Sequence, residues 1–329
     1  MAGLEDVARL AGVSASTVSR AMTRPDMVSP RTLERVRAAA ERVGFRANPA
    51  ARALTTGRTG FLAMLVPGLD NPFYAGTIAG AQAMAKETGR WLIIAVTDGS
   101  AEREAAALSE LEGQVDGFVL LMPVGTADEL KRVNERRPVV VVNRKVGGLT
   151  SYTVDTPGGL GRIHDRLVEL GHTDVAYLAG PPGSWMDRRR RQTLADHATR
   201  PDLRIQVFGP MRPEFTEGAA AADAVRASGC TAALAYNSAV LLGLVFELSR
   251  RGVRVPEDIS VAAADDMAFA DLPGTPLAAV RVPVAELGER AVSALAATID
   301  AEPGTPRPAS RTLPTAVRLA GSLAPPPRS

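Results

Sequence analysis

Near the start of the chain, small hydroxyl side chains stand beside a guanidinium: Ser14, Ala15, Ser16, Thr17, Ser19 and Arg20. Small side chains allow close approach to another surface. Hydroxyls donate and accept, and an arginine fork fits a guanine edge or a phosphate. This is the chemistry of recognition rather than of bond breaking. Further along, Asn71 and Phe73 follow the strand-like run Phe61–Val66, and Asp265 follows Ser260–Ala264. A carboxylate at a strand end can accept two hydroxyls or an amino group. A ring such as Phe73 can stack on an apolar sugar face or a base, or simply pack in a core. Catalytic patterns are missing from the sequence. No GxGxxG follows a strand, no Walker loop occurs, and no nucleophile–base pair is evident. His164, His172 and His197 lie apart without ligand spacing, so no metal, cofactor or enzymatic activity is expected.

The elements that must position the first group are short helices. Leu4, Val7, Ala8 and Ala11 recur with helical period, and Gly12 breaks that run. Ser14 is a natural N-cap for a second helix from Ala15 to about Met22, with Val18, Ala21 and Met22 inward. Two short helices joined by a tight turn make a helix-turn-helix, whose second helix can enter a major groove. A third helix opens at Ser29-Pro30, carries Leu33, Val36, Ala40 and Val43 on one face, and closes at Gly44. Asn48-Pro49 could open a further short helix. Alone in water it would be too short to persist, so it needs a surface to form on. Residues 1–57 hold nine arginines against five carboxylates, a net +4, and the other 272 residues sum to −2. A basic head on a faintly acidic body fits a nucleic-acid footprint.

The body alternates strand-like runs with helical ones: Phe61–Val66, Phe73–Thr88, Trp91–Thr97, Glu102–Glu112, Gly117–Met122 and Val139–Val142. The pattern restarts with Gly158–Leu170, Val175–Leu178, Ala232–Tyr236, Ala239–Arg250, Ser260–Ala264 and Leu287–Ile299. This predicts two parallel α/β (Rossmann-like) halves around a cleft, a periplasmic-binding-protein-like architecture, with ligands outside the strand carboxyl ends. With only 4% aromatics in 329 residues, core volume must come from Ala, Val and Leu. One cysteine, Cys230, excludes an internal disulfide and is expected to be buried. Neither a signal peptide nor an apolar run of about 20 residues is visible, so a cytoplasmic protein is expected.

Three motifs agree in order and spacing with one family. Asp6-Val7-Ala8-Arg9-Leu10-Ala11-Gly12-Val13-Ser14, then Ser16-Thr17-Val18-Ser19-Arg20, then Asn48-Pro49-Ala50-Ala51-Arg52-Ala53-Leu54 closely resemble the lactose-repressor (LacI/GalR) family of bacterial regulators. Further pieces match in the body, among them Asn71-Pro72-Phe73, Glu169-Leu170-Gly171-His172 and Val255-Pro256-Glu257-Asp258-Ile259-Ser260-Val261. The resemblance implies a head over 1–47, a hinge helix and linker over 48–57, and a body over 58–329. Its halves would be 58–156 with 284–309, and 157–283 with 310–329. It implies that Asn48, Ala51, Arg52 and Leu54 meet the minor groove, Leu54 as a wedge between base steps. It also implies that the loop of Asn71 and Phe73 lines an effector pocket. Arg190 matches the family's pocket arginine and Asp155 a cleft-edge aspartate. Trp185 is not the usual residue but falls in the pocket loop, where it could stack on a sugar ring.

Departures are as informative. Tyr236-Asn237-Ser238 stands where the family has Ala-Asn-Asp, Asn143-Arg144 replaces Asp-Arg, and Asp155-Thr156 replaces Asp-Asn. Of Arg188–Arg191, at least two are expected on a solvated helix face. The implied protein is a transcriptional regulator, by family habit a repressor. It would bind a pseudo-palindromic double-stranded operator as a homodimer, under control of a small effector such as a sugar. A sugar-binding transport protein would share the cleft, but it needs a secretion signal and no helix-turn-helix. The C-terminal residues 320–329 hold three prolines and no heptad leucines, which favours a dimer over a coiled-coil tetramer.

Overall fold

The computed structural model describes residues 3–23, 27–45, 57–198, 202–265, 276–302 and 304–327. The expected hinge residues Asn48, Ala51, Arg52 and Leu54 lie outside them. By internal contacts the chain forms two units, 1–61 with 114–116, and 62–113 with 117–329.

In the first unit, helices α1 (Leu4–Ala11), α2 (Ala15–Thr23) and α3 (Pro30–Arg42) follow one another. Gly12 ends α1 in the left-handed region at φ 63°. The Ser14 hydroxyl accepts from the Thr17 amide at 3.1 Å, satisfying one orphan N–H at the start of α2. Ser29 does the same for α3 through Thr32, with Pro30 in the first turn. Val7, Ala8, Ala11, Val18, Ala21, Val36, Ala39 and Ala40 form a small aliphatic core. Arg35 on α3 donates to the carbonyls of Ala11 and Gly12, fixing the turn between α1 and α2.

The second unit holds two six-stranded sheets. The first contains β1 (Phe61–Val66), β2 (Trp91–Val96), β3 (Phe118–Leu121), β4 (Val139–Val142), β5 (Thr150–Val154) and β11 (Arg311–Leu313), in the order β11-β5-β4-β3-β1-β2. The second contains β6 (Asp174–Leu178), β7 (Arg204–Phe208), β8 (Ala232–Ala235), β9 (Ser260–Ala263), β10 (Ala278–Arg281) and β12 (Ala316–Arg318), in the order β12-β10-β9-β8-β6-β7. Between them run α4 (Pro72–Glu87), α5 (Ala101–Leu111), α6 (Ala127–Arg136), α7 (Thr156–Glu169), α8 (Trp185–His197), α9 (Phe215–Ala227), α10 (Ser238–Arg250) and α11 (Val284–Asp300). The central strands β1, β3, β4 and β8 are apolar throughout because helices cover both faces. On β6, Val175 and Tyr177 face Leu160, Ile163 and Leu167 of α7, while Ala176 and Leu178 face the α9–α10 layer. The period of two along a strand sends alternate residues into the two layers. Cys230 is buried in the α9–α10 layer, and burial pushes its thiol pKa up.

The chain crosses between halves three times. It leaves the first sheet at Asp155, returns after β10 to place α11 on the first core, and crosses finally between β11 and β12. The last crossing corrects the expected boundary at 310. Residues 311–313 pair in parallel with β5, so the second half resumes only after Leu313. The first and last crossings are tied together: Asp155 donates its amide to the Leu313 carbonyl at 3.0 Å, and the Thr315 hydroxyl donates to the Asp155 carbonyl at 2.8 Å.

Candidate nucleic-acid interface and effector crevice

On α2, Ser14, Ala15, Ser16 and Arg20 are exposed, and Thr17 and Ser19 are half-buried. The inward positions Val18 and Ala21 hold the helix down, which leaves this face outward by helical period. The Ser14 hydroxyl lies 2.8 Å from those of Ser16 and Thr17, so the start of α2 presents three linked hydroxyls. Arg20 makes no ion pair among the described residues. The N-terminal turn therefore offers small donors and acceptors, and the next turn a long cation.

In the body, polar side chains collect where β6, β8 and β9 end. Tyr236 and Asn237 follow β8, and Ala264 and Asp265 follow β9. The guanidinium of Arg190, on α8, is 3% exposed. It donates from Nε and Nη2 to Thr156 Oγ1 at 3.1 and 3.0 Å, from Nη1 to the Tyr236 carbonyl at 2.6 Å, and from Nη2 to the Ala264 carbonyl at 3.4 Å. Its Cζ also lies 4.9 Å from the Tyr236 ring centroid, a cation–π contact. One cation thus joins the start of α7 to the ends of two strands, and every hydrogen-bond acceptor it uses is neutral. The rest of the arginine run divides as its helix faces dictate. Arg188, Arg189 and Arg191 are exposed, and Arg191 pairs with Asp187 at 2.9 Å.

The other expected ligand residues serve the fold as well. Asn71, Asp155 and Asn237 each N-cap a helix, accepting from Phe73, Gly158 and Val240. Asn237 also donates Nδ2 to the Pro213 carbonyl at 3.0 Å. Asp265, 5% exposed, accepts from the Ser238 amide at 2.7 Å. Phe73 is 6% exposed and packs in the core of the first half. Trp185 is half-buried at the first position of α8, after Ser184, whose hydroxyl caps that helix and lies 3.2 Å from the Tyr236 hydroxyl.

Several groups here were not singled out for a site by sequence. Asp187, 3% exposed, accepts from Tyr177 Oη and the Gly180 amide, both at 2.9 Å. Tyr74, from α4 of the first half, lies close enough to Tyr236 and Asp265 of the second to feel their charges. Burial first, and then those neighbours, raises its pKa. Burial likewise raises Tyr177 and Tyr236. All three phenols therefore stay neutral and act as hydrogen-bonding groups. Asn143 is 4% exposed, its φ is +60°, and its Oδ1 has no hydrogen-bond partner among the described residues. Asn143 and Tyr236 carried a signal, their place just after a strand, whereas Tyr74, Tyr177 and Asp187 lie within elements and carried none. The strand ends thus gather a guanidinium, amides, carboxylates and neutral hydroxyls, a set that suits a polar ligand. The histidines also need correction. Distant in sequence, His164 and His197 are brought by α7 and α8 to a ring separation of 6.4 Å.

A helix-turn-helix with an arginine-bearing outer face, together with paired α/β halves whose strands end in a polar crevice, defines a DNA-binding regulator. Residues 3–48 match the model of bacterial regulatory proteins of the lacI family, and residues 164–322 match a periplasmic binding protein-like domain. The HTH-type transcriptional regulator CelR of Thermobifida fusca is 32% identical over 92% of this chain and 93% of its own length. The HTH-type transcriptional repressor PurR of Vibrio campbellii is 31% identical over 90% of this chain and 91% of its own. Among solved structures, the lac repressor dimer bound to operator and the anti-inducer ONPF superposes with a TM-score of 0.83 at 23% identity, covering 98% of each chain. A CelR–cellobiose complex superposes at 0.71 with 27% identity, over 98% of this chain and 100% of that one. The chain belongs to the lacI family of bacterial regulatory proteins, which are DNA-binding transcriptional regulators and not enzymes. Among the described residues no helix is long and apolar enough to cross a membrane.

Proposed function

We propose that this chain is a cytoplasmic repressor that binds a pseudo-palindromic operator as a homodimer and responds to a sugar or sugar derivative in the crevice. Ser14, Ala15, Ser16, Thr17, Ser19 and Arg20 read a half-site, and Asn48, Ala51, Arg52 and Leu54 engage the minor groove between half-sites. The division into a head over 1–47, a hinge over 48–57 and a body from 58 belongs to the same reading. Arg190 organises the effector site, with Asn71, Phe73, Asp155, Trp185, Asn237 and Asp265 around it. The sugar class draws support from the cellobiose complex of CelR, and the repressor role from PurR.

The observation that carries the reading is the outward small-residue face of α2 ending in Arg20. The test begins by selecting DNA that binds the full chain, then compares Arg20→Ala with the wild type on selected and scrambled duplexes at fixed salt. A lost base contact costs about 1–3 kcal/mol on the selected site. Equal losses on both duplexes would reduce Arg20 to a phosphate contact and overturn its reading role.

A further inference from the structure

We propose that His164, Asp165 and His197 form a site for one zinc-type divalent transition-metal ion, on the α7–α8 pair of the second half. Two imidazoles and a carboxylate are ligands such ions accept, and three protein ligands leave a position for water. One donor atom from each residue can be chosen so that all lie within 4.8 Å of one another. His197 Nδ1 is 2.7 Å from Asp165 Oδ1, and His164 Nδ1 is 3.9 Å from the same oxygen. Bonds of about 2.0–2.1 Å in a tetrahedron place ligands roughly 3.3 Å apart. The two histidine–aspartate distances bracket that value, and the two imidazole donors, within 4.8 Å of each other, close to it by at most about 1.5 Å of side-chain rotation. The side chains of Asp165 and His197 are 52% and 33% exposed, which leaves them room to move.

His164 points to a ligand independently. It is 1% exposed, and neither ring nitrogen has a hydrogen-bond partner among the described residues. Buried polar groups are normally satisfied, so an orphaned imidazole beside a carboxylate and a second imidazole calls for an explanation. A plain hydrogen bond between His197 and Asp165 accounts for those two residues but not for His164. A metal supplies the partner that His164 lacks. The seat for His197 is built as well. A Cβ on Gly161 would lie 2.7 Å from His197 Nε2, so glycine there leaves space for the ring in its present position. The site is separate from the effector crevice. Thr156 opens α7 and contacts Arg190, whereas His164 lies eight residues on, about 12 Å along the helix.

The test uses the full chain, stripped with a chelator and titrated with Zn²⁺ against a chromophoric competitor at neutral pH. Expected is one Zn²⁺ per chain, with affinity lowered at least tenfold in His197→Gln and in Asp165→Asn. Asp165 is exposed and His197 half-buried, and unchanged melting of the stripped proteins checks their folding. His172→Gln should leave uptake unchanged. Co²⁺ loaded in place of Zn²⁺ should give visible d–d bands that vanish in His197→Gln. Wild-type uptake no greater than that of the His197→Gln/Asp165→Asn double variant would overturn the proposal, leaving only a histidine–aspartate hydrogen bond. Uptake that disappears in His172→Gln would equally overturn it, by placing the ion elsewhere.

Discussion

Replacing Arg190 by lysine keeps the charge and removes the fork. The guanidinium serves two separate acceptors at normal distance, Thr156 Oγ1 and the Tyr236 carbonyl, and reaches the Ala264 carbonyl at 3.4 Å. An ammonium on a lysine stem can satisfy one of the first two, but not both in the same geometry. A buried acceptor left without its donor costs about 1–3 kcal/mol. The weakened cation–π contact with Tyr236 adds about 0.5–2 kcal/mol. The expected loss is therefore about 1.5–5 kcal/mol, a large fraction of a domain stability of about 5–15 kcal/mol. The assay is urea unfolding followed by tryptophan fluorescence. The chain has two tryptophans, Trp91 and Trp185, both in the body, and Trp185 opens the helix that carries Arg190. With a slope of about 3 kcal/mol per molar urea, the midpoint should fall by about 1 M. A shift below about 0.2 M would mean that water in the crevice replaces the guanidinium bonds. Arg190 would then lose its place as the organiser of the site.

Two further outcomes follow from packing and protonation. A Cβ on Gly80 would lie 2.0 Å from the Ala285 carbonyl oxygen, and one on Gly288 would lie 2.0 Å from that of Thr77, so α4 and α11 meet backbone to backbone. Gly80→Ala should therefore lower stability by about 1–3 kcal/mol through overpacking. Its combination with Gly288→Ala should cost less than the sum, because one displacement relieves both clashes; strict additivity in denaturant midpoints would contradict the shared contact. His172 is 1% exposed, with Nε2 2.8 Å from the Ala324 carbonyl and Nδ1 2.8 Å from the Thr231 hydroxyl. A carbonyl only accepts, so Nε2 carries the proton and Nδ1 accepts from Thr231. Burial sets the folded pKa below the ordinary value, although the Ala324 bond opposes it. The unfolded chain thus binds the proton more readily. The stability contribution is complete above about pH 6.5 and declines as the pH falls below it. Midpoints measured from pH 7.5 to 5.5 should drop more steeply in the wild type than in His172→Gln, and parallel curves would refute the assignment.

Short-range signals were legible from the residues alone. Helical periodicity and the caps at Ser14 and Ser29 act over three or four residues, so the helix-turn-helix and most strand–helix alternation could be read directly. The run Val139–Val142 is apolar at every position, which suits a strand covered on both faces. Parallel pairing obeys no such local rule. Strand β11 joins β5 across more than 150 intervening residues, and only that pairing put the last crossing after Leu313. The same holds for the site. Arg188, Arg189, Arg190 and Arg191 are one charge run in the sequence, and burial alone singles out Arg190. Asn71, Asp155 and Asn237 look like ligand donors by type, yet each spends an oxygen on a helix cap because it stands where a strand turns into a helix. His164 and His197 are 33 residues apart in sequence, and helix packing sets their rings side by side. Residue type and spacing determined the kind of protein: a basic recognition helix ahead of an α/β body. Tertiary structure decided which polar groups share a site, because burial and long-range strand order belong to the folded whole and not to any stretch of chain.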